Sequence, residues 1–281
     1  MMKIDTKIVN IFRKLLSNPF HILKGYARKL REKHYGKKHV VYDNDILFSS
    51  ALQAYPNPND LYAYMHHYFI YRCLDLVREH RTYFMKEHRG FGEGAFHAMW
   101  WLLLSEFRPQ RMLEIGIYRG QVISLWALIC EKILKQPYEV HGISPFTKQG
   151  DSVSNYLDGL DYMGDVIGTF RHWNLKEPIL VKALSTEPPA VDHIKRQEWD
   201  LIYIDGSHEY EIVLKDYELC RSNLKLGGLL VLDDASIGTS FKPPSFSFAG
   251  HSGPSRVAQE YAHKEMKFLG AVGHNNVFQK I

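Results

Sequence analysis

The sequence predicts an α/β protein built on a mostly parallel sheet with helices on both faces. Three observations carry that expectation. From residue 111 onward, short apolar runs alternate with longer segments of helical periodicity, as strand–helix–strand units require. Glycines and acids fall directly after several of the strand patterns, where open α/β sheets place their ligands. The last two strand patterns are joined through Gly273 and His274 alone, a connection so short that the pair must be antiparallel.

The elements follow in order. RMLEIG (111–116) is a strand, then come a turn and a helix from about Gln121 to Lys135. YEVHGI (138–143) is a second strand, followed by helical material over 152–173 and a third strand, PILVKAL (178–184). A helix over 187–197 leads into DLIYID (200–205), the fourth strand. The segment 210–224 is an amphipathic helix that gathers Ile212, Val213, Tyr217, Cys220 and Leu224 on one face. GGLLVLDD (227–234) is the fifth strand. A Gly/Pro/Ser-rich loop (237–255), a helix near 255–264 and two strands (266–272 and 275–280) complete the chain.

Upstream, a helix over 95–107 precedes the first strand and RGFGEG (89–94) is a loop. Residues 60–88 are helical and dense in aromatics, best read as core packing, and YPNPND (55–60) is turn-rich. His66 and His67 cannot point the same way on a helix, which argues against a shared metal. The chain therefore divides into a basic segment (1–40), a helical extension (41–93) and an α/β domain (94–281).

Composition sets limits on function. Hydrophobic residues make up 45% and charged residues 23%, ordinary for a globular protein with a sizeable core. Cys73, Cys130 and Cys220 are odd in number and without metal spacing, so they read as reduced and mostly buried. No apolar run reaches the ~20 residues of a membrane span and no signal peptide is apparent, which makes a cytoplasmic location the expectation. The net charge of +4 is uneven: residues 1–40 carry +9 and the remainder −5. The amphipathic basic stretches 3–16 and 22–31 suit peripheral contact with an anionic membrane, or packing on the chain's own domain or on a second copy in a homo-oligomer. With an acidic remainder and no recognition motif, nucleic acid is not an expected partner.

The chemistry-bearing residues cluster at the strand ends. LEIGIYRG (113–120) places an acid and two glycines at the tip of the first strand; YIDGSHEYEIVLKD (203–216) and LKLGGLLVLDDAS (224–236) end in acids at neighbouring tips. Together these segments resemble the class I S-adenosylmethionine-dependent methyltransferases. More narrowly, they resemble the branch of cephalosporin-hydroxylase-type proteins and metal-dependent O-methyltransferases of sugars and macrolides. The resemblance covers about residues 94–281. It implies a Rossmann-like sheet of seven strands in the order 3-2-1-4-5-7-6.

It also implies a site. Glu114, Gly116, Tyr118 and Gly120 match the loop around the methionine part of the cofactor. Ser144 stands where the family presents an acid to the ribose, a weaker contact than a carboxylate, and Ser185 matches a position near the adenine. Asp205 borders the cofactor too. With Asp233 and Asp234 it matches a metal triad for Mg²⁺ or a similar cation. His208, three residues after Asp205, matches the general base. The residues alone leave open a turn-capping role for the aspartates and a supporting role for His208.

Two functional readings are carried forward. One is a metal-assisted O-methyltransferase acting on a hydroxyl of a sugar, glycan or natural product, with the basic N-terminus favouring a lipid-linked glycan. The other is a ligand-binding or scaffold protein of a glycan-assembly system that transfers no methyl group. A dinucleotide oxidoreductase is poorer, because the glycines lack the G-x-G-x-x-G order. The loop 240–256, bordered by His251 and Arg256, is a candidate lid, and Glu93 and His97 are candidate cleft residues. Trp100 and Trp101 read as core.

Overall fold

The computed structural model describes residues 27, 30–32, 34–35, 47–86, 89–150 and 156–281. Most of the expected basic helices (3–16 and 22–31) lies outside them.

Seven strands form one sheet: β1 (Arg111–Ile115), β2 (Glu139–Ser144), β3 (Ile179–Lys182), β4 (Trp199–Ile204), β5 (Leu224–Leu232), β6 (Lys267–Val272) and β7 (Asn275–Gln279). Their order is β3-β2-β1-β4-β5-β7-β6, as expected. β1 pairs in parallel with β2 and β4, and β5 with β4, while β7 runs antiparallel between β5 and β6.

The period-2 alternation of these strands divides the core in two. Met112, Val140, Leu201, Tyr203, Leu229 and Val231 face one side of the sheet, and Leu113, Ile143, Ile202, Ile204, Leu230 and Leu232 the other. On the first side lie α1 (Phe48–Ala54), α2 (Pro58–Tyr71), α3 (Asp75–Met85), α4 (Gly94–Phe107), α5 (Gln121–Leu128) and α6 (Tyr162–His172). On the second lie α7 (Pro188–Lys195), α8 (Tyr210–Asn223) and α9 (Ser252–Val257).

The helical extension shares the first core. Phe48, Tyr62, Met65 and Val77 are fully buried with α4 residues and with Val272 of β6. The described part of the aromatic segment, residues 60–86, is two helices, broken at Arg72–Leu74. Cys73, Cys130 and Cys220 are free and buried. Trp100 is buried, edge-on to Trp126 and Tyr203, whereas Trp101 is only half-buried. His66 and His67 diverge: His66 Nε2 lies 3.0 Å from the Glu32 carbonyl, and the His67 ring packs on Tyr71.

Two boundaries differ from expectation in ways the pattern could not show. The helix after β1 keeps its length but changes winding, from α over Gln121–Leu128 to π over Ile129–Leu134, before Lys135 ends it in a left-handed conformation. β5 ends at Leu232, two residues before the expected end. Asp233 N still bonds the Ile204 carbonyl at 3.0 Å, but Asp234 turns to φ +54 and leaves the ladder.

Candidate active site

The C-terminal tips of β1, β2, β3, β4 and β5 open into a cleft of about 490 Å³, within the ~300–1,000 Å³ of small-molecule sites. Its walls come from these tips, from residues 89–97 and from the loop before α9.

The half over β1, β2 and β3 is shaped by backbone. Gly116 has φ +98, and a Cβ there would lie 1.9 Å from the Asp205 carbonyl oxygen. Only glycine allows the tips of β1 and β4 to approach this closely. Gly120 (φ +79) begins α5, and its carbonyl accepts the Ser124 hydroxyl at 2.6 Å. Glu114 is buried beneath this loop and accepts the Ile123 N–H at 3.2 Å. Burial pushes its carboxyl up to about 8, against the effect of that hydrogen bond and with the charge of Asp233. Tyr118 lines the cleft among the rings of Phe91, Tyr156 and Tyr162.

The two serines reach the cleft wall with their protons committed elsewhere. Ser144 Oγ donates to the Ile117 carbonyl at 3.0 Å and accepts from Phe146 N at 3.3 Å, fastening the β1 and β2 tips together. Ser185 Oγ donates to Asp216 Oδ2 at 3.0 Å, on α8. Burial pushes the Asp216 carboxyl up to about 7.

The other half is shaped by charge. Asp205 and Asp233 touch: burial first, then the charge of Asp233 and a hydrogen bond with it, raise the Asp205 carboxyl well above its ordinary range. Asp234 faces elsewhere, because its left-handed turn swings the side chain towards three histidines. His208 Nε2 lies 2.9 Å from Oδ2 and His251 Nε2 3.7 Å from the same oxygen. His274 Nδ1 lies 2.9 Å from Asp233 Oδ1 and 3.0 Å from Asp234 Oδ1. Burial works to raise Asp234, but its hydrogen bond with His208 and the neighbouring charge of His274 hold it well below the usual carboxylate range. Burial likewise works to lower His274, yet the two aspartates hold its proton up to about 10.

All the expected site residues except Gly120, which lies between the lining residues Arg119 and Gln121, thus border one cleft. Asp205, Asp233 and Asp234 do not converge as a set of three. The groups able to share one cation among the described residues are His208, Asp234 and His251, and Asp233, Asp234 and His274.

His274 was not among the sequence candidates. It sits in the β6–β7 turn, and only the antiparallel return of β7 beside β5 brings it to the aspartates. Its one sequence signal was the tight Gly273–His274 connection. Glu93 and His97 do line the cleft. Glu93 accepts the Tyr62 hydroxyl, and His97 bonds the Glu93 carbonyl and approaches His80, whose other nitrogen is 2.9 Å from Ser124 Oγ. Burial drives the His97 ring down to about 3, so it stays neutral at physiological pH.

The loop before α9 is fastened at both ends. Ala235 bridges Gly250, and His251 N donates to the Asp234 carbonyl at 2.8 Å. Asn59 at the start of α2 holds Ser240 and Lys242. Phe246, Phe248 and His251 form the cleft wall on that side, whereas Arg256 packs on Tyr210 of α8.

Comparison with known proteins agrees with this architecture. Residues 113–235 match the family model described as a methyltransferase domain. No curated protein matches the chain. Among solved structures, a Staphylococcus aureus protein assigned as a caffeoyl-CoA O-methyltransferase is 13% identical, with a TM-score of 0.53. That match covers 78% of this chain and 97% of the other. A Podospora anserina methyltransferase solved with S-adenosylhomocysteine is 14% identical at a TM-score of 0.50, covering 74% of this chain and 88% of that one. At these identities the likeness concerns the fold. The strand order, the glycine tip of β1 and the matched segment agree: residues 113–235 match a methyltransferase domain, and the seven-stranded sheet has the class I methyltransferase fold.

Proposed function

We propose that the protein is a metal-assisted O-methyltransferase acting on a hydroxyl group of a sugar, a glycan or a hydroxylated natural product. The observation that supports this reading is the junction of the cleft's two halves. A backbone-lined half over Gly116 and Gly120 opens directly onto Asp205, Asp233, Asp234 and His208.

The residues present fit the cofactor. Gly116 keeps the floor of the cleft free of a side chain, and the tips of β2 and β3 leave room beside Ser144 and Ser185. When bound, S-adenosylmethionine supplies an electrophilic methyl group. The ribose cannot receive the Ser144 proton, which is already given to Ile117, so Ser144 serves as a strut between the two tips.

Asp234 orients His208. In a neutral ring that donates from Nε2 to Asp234, Nδ1 carries the lone pair and can accept the acceptor's hydroxyl proton. The imidazolium that forms is stabilised by the same carboxylate. Asp233 and Asp234 offer oxygens to a divalent cation, with Asp205 in contact with Asp233. Such a cation would lower the hydroxyl pKa by polarising its oxygen. Phe246 and Phe248 offer apolar surface to the face of a ring-shaped acceptor and exclude water from it. The +9 charge of residues 1–40 supports an acceptor presented at an anionic surface, such as a lipid-linked glycan.

Calorimetry tests the reading. S-adenosylmethionine is expected to bind wild type in the micromolar range, with an additional heat for the divalent cation that Asp234→Asn loses. Cofactor binding with no metal heat would remove metal assistance. No cofactor heat would leave these residues without a role in methyl transfer and favour the non-catalytic scaffold.

A further inference from the structure

We propose that the cation site of this cleft is a mixed nitrogen–oxygen site made by Asp233, Asp234 and His274, suited to Mn²⁺, Fe²⁺ or Zn²⁺ in preference to Mg²⁺. The proposal rests on reading the cleft as a methyl-transfer site and names the ligands and metal class within it.

The spacing is the first argument. His274 Nδ1 stands 2.9 Å from Asp233 Oδ1 and 3.0 Å from Asp234 Oδ1. Donors bound at right angles to one ion, at bond lengths of roughly 2.1 Å, sit about 3 Å apart. Asp205 does not share this point; its carboxyl is engaged with Asp233.

The second argument is an orphaned atom. Asp234 is only 5% exposed, and the His274 nitrogen 3.0 Å from its Oδ1 directs its N–H at Asp233 instead, so that this oxygen has the charge of the ring beside it but receives no hydrogen bond. A buried carboxylate oxygen without a hydrogen bond is costly, and a cation that takes the place of the His274 Nδ1 proton would bind this oxygen, Asp233 Oδ1 and the ring nitrogen together. The other oxygen, Oδ2, already bonds His208. That places the ion on the His274 side of the carboxylate rather than between His208 and His251, and leaves His208 for proton transfer.

The third argument is orientation. The His274 ring is held between Phe96, edge-on at 4.7 Å, and Phe248 at 4.6 Å, and both phenylalanines line the cleft. A ligand histidine needs its ring fixed, and packing supplies that here. An imidazole donor selects borderline first-row ions, whereas Mg²⁺ favours oxygen and water.

The test titrates EDTA-stripped full-length protein with Mn²⁺ and, separately, with Mg²⁺, and records the pulsed EPR spectrum of the Mn²⁺ form. One Mn²⁺ should bind at least tenfold more tightly than Mg²⁺, with nitrogen coupling in the spectrum. His274→Asn should lose the coupling and at least tenfold in Mn²⁺ affinity, while Asp205→Asn stays within threefold. Equal affinities without nitrogen coupling, lost in Asp205→Asn, would overturn the proposal in favour of three carboxylates. Loss in His251→Asn but not in His274→Asn would overturn it by moving the ion to Oδ2. No binding of either ion would reduce the cluster to an ion pair. S-adenosylhomocysteine calorimetry on each sample reports folding and separates the two readings. If that ligand binds protein that takes up no metal, this proposal falls together with metal assistance while methyl transfer stands; if it does not bind wild type, the methyl-transfer reading falls as well.

Discussion

The two halves of the cleft reach their shapes by opposite means. Over β1, β2 and β3 the lining depends on backbone: Gly116 with a positive φ, Gly120 opening a helix, and two serines whose hydroxyls tie chain to chain. Over β4, β5 and the β6–β7 turn it depends on charge, with three aspartates set against His208, His251 and His274. A site of the first kind is sensitive above all to added volume. A site of the second kind tolerates changes of volume and depends on which protons are held.

The sharpest way to break the first half is Gly116→Ala. A methyl group would collide with the Asp205 carbonyl at 1.9 Å in a backbone conformation that L-residues avoid. Moving the β4 tip to relieve it would also displace Asp205. The expected result is a loss of about 3 kcal/mol of stability, seen in thermal unfolding, together with loss of S-adenosylhomocysteine binding. An Ala variant that unfolds like wild type and keeps the ligand would show that the two tips are not held together by this contact.

The second half is broken by His208→Asn. Loss of a general base lowers turnover by about 10²–10⁴-fold. Because His208 bonds Asp234 in the charged half of the cleft, the KM for S-adenosylmethionine should change less than threefold. Equal losses in turnover and in cofactor KM would instead make His208 a structural support of the whole cleft.

How legible each half was in the sequence follows from the same contrast. The mostly parallel sheet could be expected because residues 111–234 repeat one strand–helix unit, and the antiparallel end because of its two-residue connection, whereas the strand order was implied by the resemblance. Gly116, Asp205, His208, Asp233 and Asp234 lie at strand tips, where position along the chain is nearly position in the site. His274 is different: it is 40 residues from Asp234 and reaches it only through the register that pairs Leu232 with Asn276. Glu93 and His97 were candidates from the sequence and do line the cleft, which residues 89–97 join through the packing of α4 against the sheet. The divergence of Asp233 and Asp234 was also illegible. Two adjacent aspartates read alike until one of them adopts φ +54.

Asp216 of α8 gives the backbone half a pH test of its own, since it lies behind Ser185 and, like Glu114, is an acid raised by burial. Its carboxyl is 1% exposed and held up at about 7 by burial. In the unfolded chain an aspartate titrates near ~3.9. The folded state therefore keeps the proton over the interval between these values. The stability this contributes is complete below about pH 4 and is lost as pH rises through about 7. Asp216→Asn, which still accepts the Ser185 hydroxyl, should match wild type near pH 4 and exceed it by on the order of 2 kcal/mol at pH 8. Urea unfolding at the two pH values measures this directly, and a pH-independent difference would mean that Asp216 is ionised in the folded protein.

The smallest effect tests whether Ser144 belongs to the lining or to the ligand. The Oγ donates to the Ile117 carbonyl and accepts from Phe146 N, so removing it deletes two hydrogen bonds inside the protein. Ser144→Ala should cost about 1 kcal/mol of stability and leave S-adenosylhomocysteine affinity within threefold of wild type. A tenfold loss of affinity with unchanged stability would mean that the hydroxyl turns to the ribose when ligand binds. Ser144→Asp sharpens the distinction. A carboxylate cannot donate to Ile117, so if Ser144 is a strut the variant loses stability without gaining affinity. If the position is a ribose contact, the added acid strengthens binding instead, and the backbone half would then read its ligand through a side chain as the charged half does.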